Sequence, residues 1–196
     1  MKLLQNTHKA LHLEPACADD NCRGSRYCSS AMNPLPWPDN HHLDAAEGWL
    51  ELDVPVEAAD EIQQIAPELR LHPEVLNVRW QILARKKDWR NGLVIAGVIS
   101  RLVPESPVGW IHLSYTLHEM GRTREAWENL SRVAPQFPGD CTIAYNRACY
   151  ACRLGNLETA RDLLRRAMQL GDEGQVKETA LSDHDLEPLW RAIREL

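Results

Sequence analysis

A single Phe, Phe137, stands in a chain of 196 residues that carries seven Trp and four Tyr. Aromatic area for a core must therefore come largely from indoles, which bury wide surfaces but bring an N–H that needs a partner. No run approaches the ~18 consecutive apolar residues of a membrane-spanning helix, so no membrane partner is expected. Basic residues are the minority, 22 Lys and Arg against 28 Asp and Glu, for a formal net charge of −6. An acidic chain with interspersed signs is unsuited to nucleic acid, which selects a basic stripe, and to anionic lipid. The opening Met1-Lys2-Leu3-Leu4-Gln5-Asn6 turns polar at once and lacks the apolar core of a secretory leader. The expected location is the cytoplasm, and the six Cys are expected as reduced thiols rather than a disulfide framework.

Catalytic signatures are missing as well. The chain holds no GXSXG elbow, HEXXH pair, phosphate-binding Walker loop or GXGXXG turn. Cys17, Cys22 and Cys28 are spaced CX4C and CX5C, unlike the paired CX2C knuckles of zinc modules. Cys149-Tyr150-Ala151-Cys152 is a CXXC string, but redox pairs set the attacking thiol at a helix N-terminus, whereas Cys149 is expected about two turns into a helix. Thiols three apart on a helix have Cβ atoms about 5–6 Å apart, beyond the ~3.8 Å of a disulfide. No enzyme, cofactor or metal is expected; a Cys-based metal or redox protein is the weaker alternative.

What the chain has is a period. Ala58, Gly92, Ala126 and Ala160 recur every 34 residues. Three further columns keep the interval: Asp53, Lys87, Gly121 and Gly155; Ile62, Ala96, Leu130 and Leu164; Ile65, Ile99, Val133 and Ala167. Small residues at fixed places in a period of this length mark a helical repeat, each unit a helix–turn–helix that buries its apolar face only against neighbours. The expected fold is all-α, a right-handed solenoid of four repeats over 39–72, 73–106, 107–140 and 141–174. Within each repeat, a helix A is followed by a helix B. Gly121 and Gly155 suit the end of helix A, where a left-handed residue closes the helix, and Pro104 and Pro138 stop helix B. Trp110 is expected in the core.

The third repeat reads Trp110-x2-Leu113-Ser114-x2-Leu117, then Ala126-x3-Leu130, then Pro138. This resembles the tetratricopeptide (TPR) repeat, with its W-x2-L-G-x2-Y, A-x3-F and P pattern. The fourth repeat is similar in its second half. The second departs, with Trp80 where a small residue is usual and Lys87 where Gly is usual, and the first has Arg70 in place of the proline. Residues 175–196, containing Ala180-Leu181-Ser182-Asp183-His184-Asp185-Leu186, resemble the A-L-x-D-x-D-L segment that closes short bacterial proteins of this family. They are expected to cap the array, with Asp183 or Asp185 capping a short helix. Residues 1–38, holding Pro15, Pro34, Pro36 and Pro38, break the register and are expected to form a poorly ordered tail. Met32 precedes the first repeat as a natural start would.

The resemblance implies function as a binding scaffold whose concave groove is lined by helix A. Carried onto this chain, the groove positions are Asn77, Gln81, Arg85, Tyr115, His118, Tyr145, Cys149 and Arg153. Amides there would hydrogen-bond an extended backbone, Tyr would supply contact area, and Arg would pair with a carboxylate. The expected partner is a peptide or protein segment. Self-association, through Trp37 and Trp49 of an unguarded first repeat, is the alternative. The groove does not carry the carboxylate clamp of the family's co-chaperones, whose Lys and Asn positions in the first repeat hold Leu43 and Glu47.

Overall fold

The computed structural model describes residues 34–195; the expected tail residues 1–33, with Cys17, Cys22 and Cys28, lie outside that range. Among the described residues the chain is all-α. The helices are α1 (Asp39–Glu51), α2 (Pro55–Gln64), α3 (Pro73–Arg85), α4 (Trp89–Leu102), α5 (Pro107–Glu119), α6 (Thr123–Val133), α7 (Cys141–Arg153), α8 (Leu157–Leu170), α9 (Glu173–Ser182) and α10 (Trp190–Arg194). Short 3-10 turns follow α2, α6 and α9. The backbone keeps the period of the sequence: α1, α3, α5 and α7 begin at residues 39, 73, 107 and 141, and their partners at 55, 89, 123 and 157. The helix after the last hairpin starts at Glu173, two residues before the expected cap.

Local chemistry sets these bounds. Pro55, Pro73 and Pro107 open α2, α3 and α5, where a missing N–H costs nothing. Asp88, Asp140 and Asp172 cap α4, α7 and α9 by accepting from the N–H groups of Asn91, Ile143 and Gln175. Each first helix of a hairpin ends in one way. Asp53, Lys87, Gly121 and Gly155 all take positive φ, at 58, 54, 77 and 83°. The next residue's N–H reaches the carbonyl five residues back: Val54 to Trp49, Asp88 to Leu83, Arg122 to Leu117 and Asn156 to Ala151. The left-handed residue's own N–H reaches the carbonyl three residues back, and this pair of hydrogen bonds recurs at every hairpin, including the two whose left-handed residue is not Gly. Where the first repeat lacks its proline, the Arg70 guanidinium donates to the carbonyls of Ile65 and Gln63 at the end of α2.

The chain divides into two compact units between Thr116 and Leu117, inside α5. In the first, Leu43, Ala46 and Leu50 of α1 pack with Ala58, Ile62 and Ile65 and with Val75, Val78 and Ile82 of α3. Leu35 joins this core, so the segment just before α1 is part of the first hairpin rather than of a tail. Trp80 is fully buried, while Trp110 is only partly so, its indole N–H donating to the Pro104 carbonyl at 3.0 Å. The core indole is therefore the residue that departs from the repeat pattern, and the one that fits the pattern covers the end of α4. α5 crosses α4 at Gly109, where an added Cβ would stand 2.4 Å from the Ser100 nitrogen.

In the second unit α7 lies against α6 and α8, and the 3-10 segment His184–Leu189 folds back onto α7. Leu186, Leu189 and Ile193 are buried there. All three columns of small and aliphatic residues are buried throughout the chain, Ala58, Gly92, Ala126 and Ala160 among them. Pro138 follows the 3-10 turn after α6, and Pro104 follows α4 by two residues.

Candidate functional site

The helix-A positions of the first unit form a closed aromatic cluster rather than an open polar wall. Asn77 is buried, and its Oδ1 accepts from Nε2 of His112 at 2.7 Å. The His112 imidazole is stacked on the Trp80 indole. Trp80 in turn donates to the Thr116 hydroxyl at 3.0 Å, and that hydroxyl donates to the His112 carbonyl. Tyr115 is buried edge-on between Trp80 and Trp89. Burial drives the His112 pKa down to about 3, so the ring is neutral and carries its proton on Nε2. Arg85 pairs with Asp53 at 3.3 Å. Gln81 is partly exposed. Of the four positions expected here, Asn77 and Tyr115 are thus interior, and Gln81 and Arg85 reach the surface.

The second unit gathers the other four around a segment of its own chain. Asp183 Oδ2 accepts from the Tyr145 hydroxyl at 2.9 Å and from the Cys149 thiol at 3.5 Å. Its Oδ1 accepts from the N–H of Asp185 at 2.9 Å, the expected cap, here closing a 3-10 turn. Asp185 Oδ2 lies 2.7 Å from Nε2 of His118, and its Oδ1 lies 3.4 Å from Nε of Arg153. The Trp190 indole N–H holds the segment from the other side, donating to the carbonyls of Ala180 and Asp183. Tyr145 and Cys149 are buried, His118 is partly so, and Arg153 is exposed. The expectation that Tyr145 and Cys149 form an open wall is corrected: Asp183 and Asp185 cover this face of α7.

The electrostatics follow from that burial. The Tyr145 phenol is pushed far up, first by burial and then by the nearby Cys149 and Asp183. Cys149 is raised by burial and by Asp183 and Asp185. Cys152 is raised chiefly by burial, and Cys141 is pushed up to about 11 by burial and by Asp140. These thiols stay protonated at neutral pH, the reverse of the electropositive setting that makes a reactive thiolate. Asp183 is itself raised by burial and by Asp185, against the hydrogen bonds it accepts. Among the described residues no group of three or more His, Cys, Asp or Glu could hold a metal ion, and no helix is long and apolar enough to cross a membrane.

The pairing of Asp183 and Asp185 with α7 and the end of α5 spans 38 residues from Tyr145 and 67 from His118. Asp183 stands one 34-residue period beyond Cys149, but the period itself names no carboxylate there and does not reach from His118 to Asp185. The chain matches no known protein-family model and no curated protein.

Proposed function

We propose that the chain is a non-enzymatic, cytoplasmic interaction scaffold, built of tetratricopeptide-like hairpins in a right-handed solenoid, that binds a segment of another protein on its helix-A faces. One observation supports the reading above others. In the second unit, side chains of this face already grip a chain segment through four side-chain contacts, from Tyr145, Cys149, His118 and Arg153 to Asp183 and Asp185. A surface that seats its own terminal segment in this way has the chemistry to seat a foreign one. The identical closure of all four hairpins supports the repeat reading.

The test is capture of partners by the full chain beside a Gln81→Ala/Arg153→Glu variant. Both positions reach the surface, whereas the helix-A tyrosines Tyr115 and Tyr145 are buried and their loss would disturb the core. Partners retained by the chain and lost by the variant, at equal helicity, are the expected result. Identical partners would reject the helix-A face.

A second reading has its own support. In the first hairpin Trp37 is 81% exposed, with Leu52 at 68% and Val56 at 58%, and Trp49 also reaches the surface. Exposed apolar residues concentrated on one hairpin favour self-association. Light-scattering mass that rises with concentration, and stops rising in Trp37→Ser/Leu52→Asp, is the outcome this reading requires.

A further inference from the structure

Tyr145, Cys149 and Arg153 recur every four residues along α7, and so stand on one helix face. With His118 from the end of α5 they divide two by two. Tyr145 and Cys149 address the carboxylate of Asp183, while His118 and Arg153 address that of Asp185. We infer that this face is a recognition site for a protein segment bearing two carboxylates two residues apart and then a leucine. Asp183, Asp185 and Leu186 fill it in cis, and a partner enters by exchanging with them. The inference rests on the scaffold reading and gives it a ligand chemistry.

Donor placement carries the first part. At Asp183 one oxygen accepts from Tyr145 and Cys149 while the other accepts the Asp185 N–H, and at Asp185 one oxygen accepts from His118 while the other pairs with Arg153. Carboxylates offer an acceptor at every one of these places, and an amide would set its NH2 against a donor at each residue. Leu186, directly after the second carboxylate, is completely buried and supplies the apolar anchor.

The order of release carries the second part. The Asp185 contacts are the outer ones: the Arg153 side chain is 58% exposed and that of Asp185 27%. Ion pairs so placed contribute little against water. The segment itself is a 3-10 turn with Pro188 inside it, a form with poor hydrogen-bond geometry that depends on its side chains to stay docked. The Asp185 end therefore lifts first, exposing His118 and Arg153 to an incoming acidic chain while Asp183 still holds.

The test titrates a fluorescein-labelled peptide of residues 181–191 into the full chain and into Asp183→Asn/Asp185→Asn, read by anisotropy. The double variant, with its competing segment weakened, is expected to bind at least about tenfold tighter than the unaltered chain. A peptide with both Asp replaced by Asn is expected to bind it at least about tenfold more weakly. Should the double variant lose helicity, Asp185→Asn alone takes its place, with a smaller tightening of about twofold or more expected, since its ion pairs are exposed. On the unaltered chain, excess peptide is expected to speed hydrogen exchange at the amides of Asp185, Leu186 and Leu189. Equal binding of the acidic and amidated peptides overturns the carboxylate preference. Absent binding with unchanged exchange overturns the site. Either result removes the acidic-pair chemistry proposed for this face; the scaffold reading has a separate test and falls if Gln81→Ala/Arg153→Glu retains every partner of the full chain.

Discussion

The imidazole of His112 lies flat on the indole of Trp80, ring centroids 3.6 Å apart and planes 9° from parallel. One ring nitrogen is committed to Asn77, and the other, Nδ1, is buried without a hydrogen-bond partner. A proton added there would put a charge inside an aromatic stack. The folded pKa of about 3 lies below the ordinary imidazole value of 6.5, so between these values the unfolded chain binds more protons than the folded one. Stability from this group is complete above about pH 6.5 and is lost as pH falls toward 3. At pH 5 the loss amounts to about 2 kcal/mol, at 1.36 kcal/mol per pKa unit. Asp183, raised by burial, acts in the opposite sense, favouring the folded state as it protonates. Denaturant melts at about pH 7.5 and about pH 5 should therefore show a drop in the unaltered chain that shrinks by roughly 2 kcal/mol in His112→Gln. An equal drop in both would assign the acid sensitivity elsewhere.

Lys87 and Asp53 hold a left-handed conformation that an L side chain adopts at a cost of about 1–2 kcal/mol. Gly pays no such penalty and stands at the two equivalent positions, Gly121 and Gly155. Lys87→Gly is expected to stabilise the chain by about 1 kcal/mol. Asp53→Gly should gain less, since it also gives up the exposed contact with Arg85. Gly121→Ala should lose about as much as Lys87→Gly gains. Thermal melts of the three variants decide the matter by sign alone.

Two buried glycines should respond oppositely to the same methyl group. A Cβ on Gly109 would meet backbone atoms of Ser100 at 2.4 and 2.7 Å, forcing α4 and α5 apart. Gly109→Ala is expected to cost about 1–3 kcal/mol or more. A Cβ on Gly92 would find Trp80 Nε1 at 3.6 Å and Thr116 at 3.8 Å, ordinary contacts. Gly92→Ala is expected to be neutral, or stabilising by up to about 1 kcal/mol. Chemical denaturation of both variants tests the pair; a costly Gly92→Ala would mean that Trp80 and Thr116 leave no room for a methyl group.

The indoles separate in the same manner. Trp80→Ala removes a fully buried ring and its bond to Thr116, at an expected cost of about 3–5 kcal/mol. Trp110→Ala, at a partly exposed site, should cost less than half of that. Equal losses in urea melts would place Trp110 in the core after all.

Much of the backbone was legible in the sequence because it depends on interactions within about 34 residues. The columns headed by Ala58, Ile62 and Ile65 are buried at every recurrence, and the helices of each hairpin start where the period puts them. The left-handed turn at Gly121 and Gly155 was legible for the same reason, and its extension to Asp53 and Lys87 follows from register rather than residue type. The site was less legible. Register identifies Tyr145, Cys149, His118 and Arg153 as sharing a helix-A face, but not that Asp183 and Asp185 cover it, since that contact depends on how a terminal segment folds back. The Trp80, His112 and Asn77 cluster was hidden in another way: Trp80 departs from the repeat, and register puts Asn77 on the groove face with nothing to show that His112 would bury it against that indole. Gly109 likewise has Val75 and Ile143 at its recurrences, so no column pointed to its close approach.

The constant spacing of the hairpins bears on how this chain can change in length. One residue inserted within a helix turns everything beyond it by about 100° about the axis, carrying buried columns to the surface and exposed polar positions into the core. An insertion at a turn such as Lys87-Asp88 breaks the paired closure that joins it to Leu83 and Ala84. A block of 34 residues cut from one left-handed turn to the next disturbs neither, because each hairpin hands on the same helix end and the same helix start. Descendants of this sequence should therefore lengthen or shorten by whole hairpins, and a designer can graft or delete at the same joints.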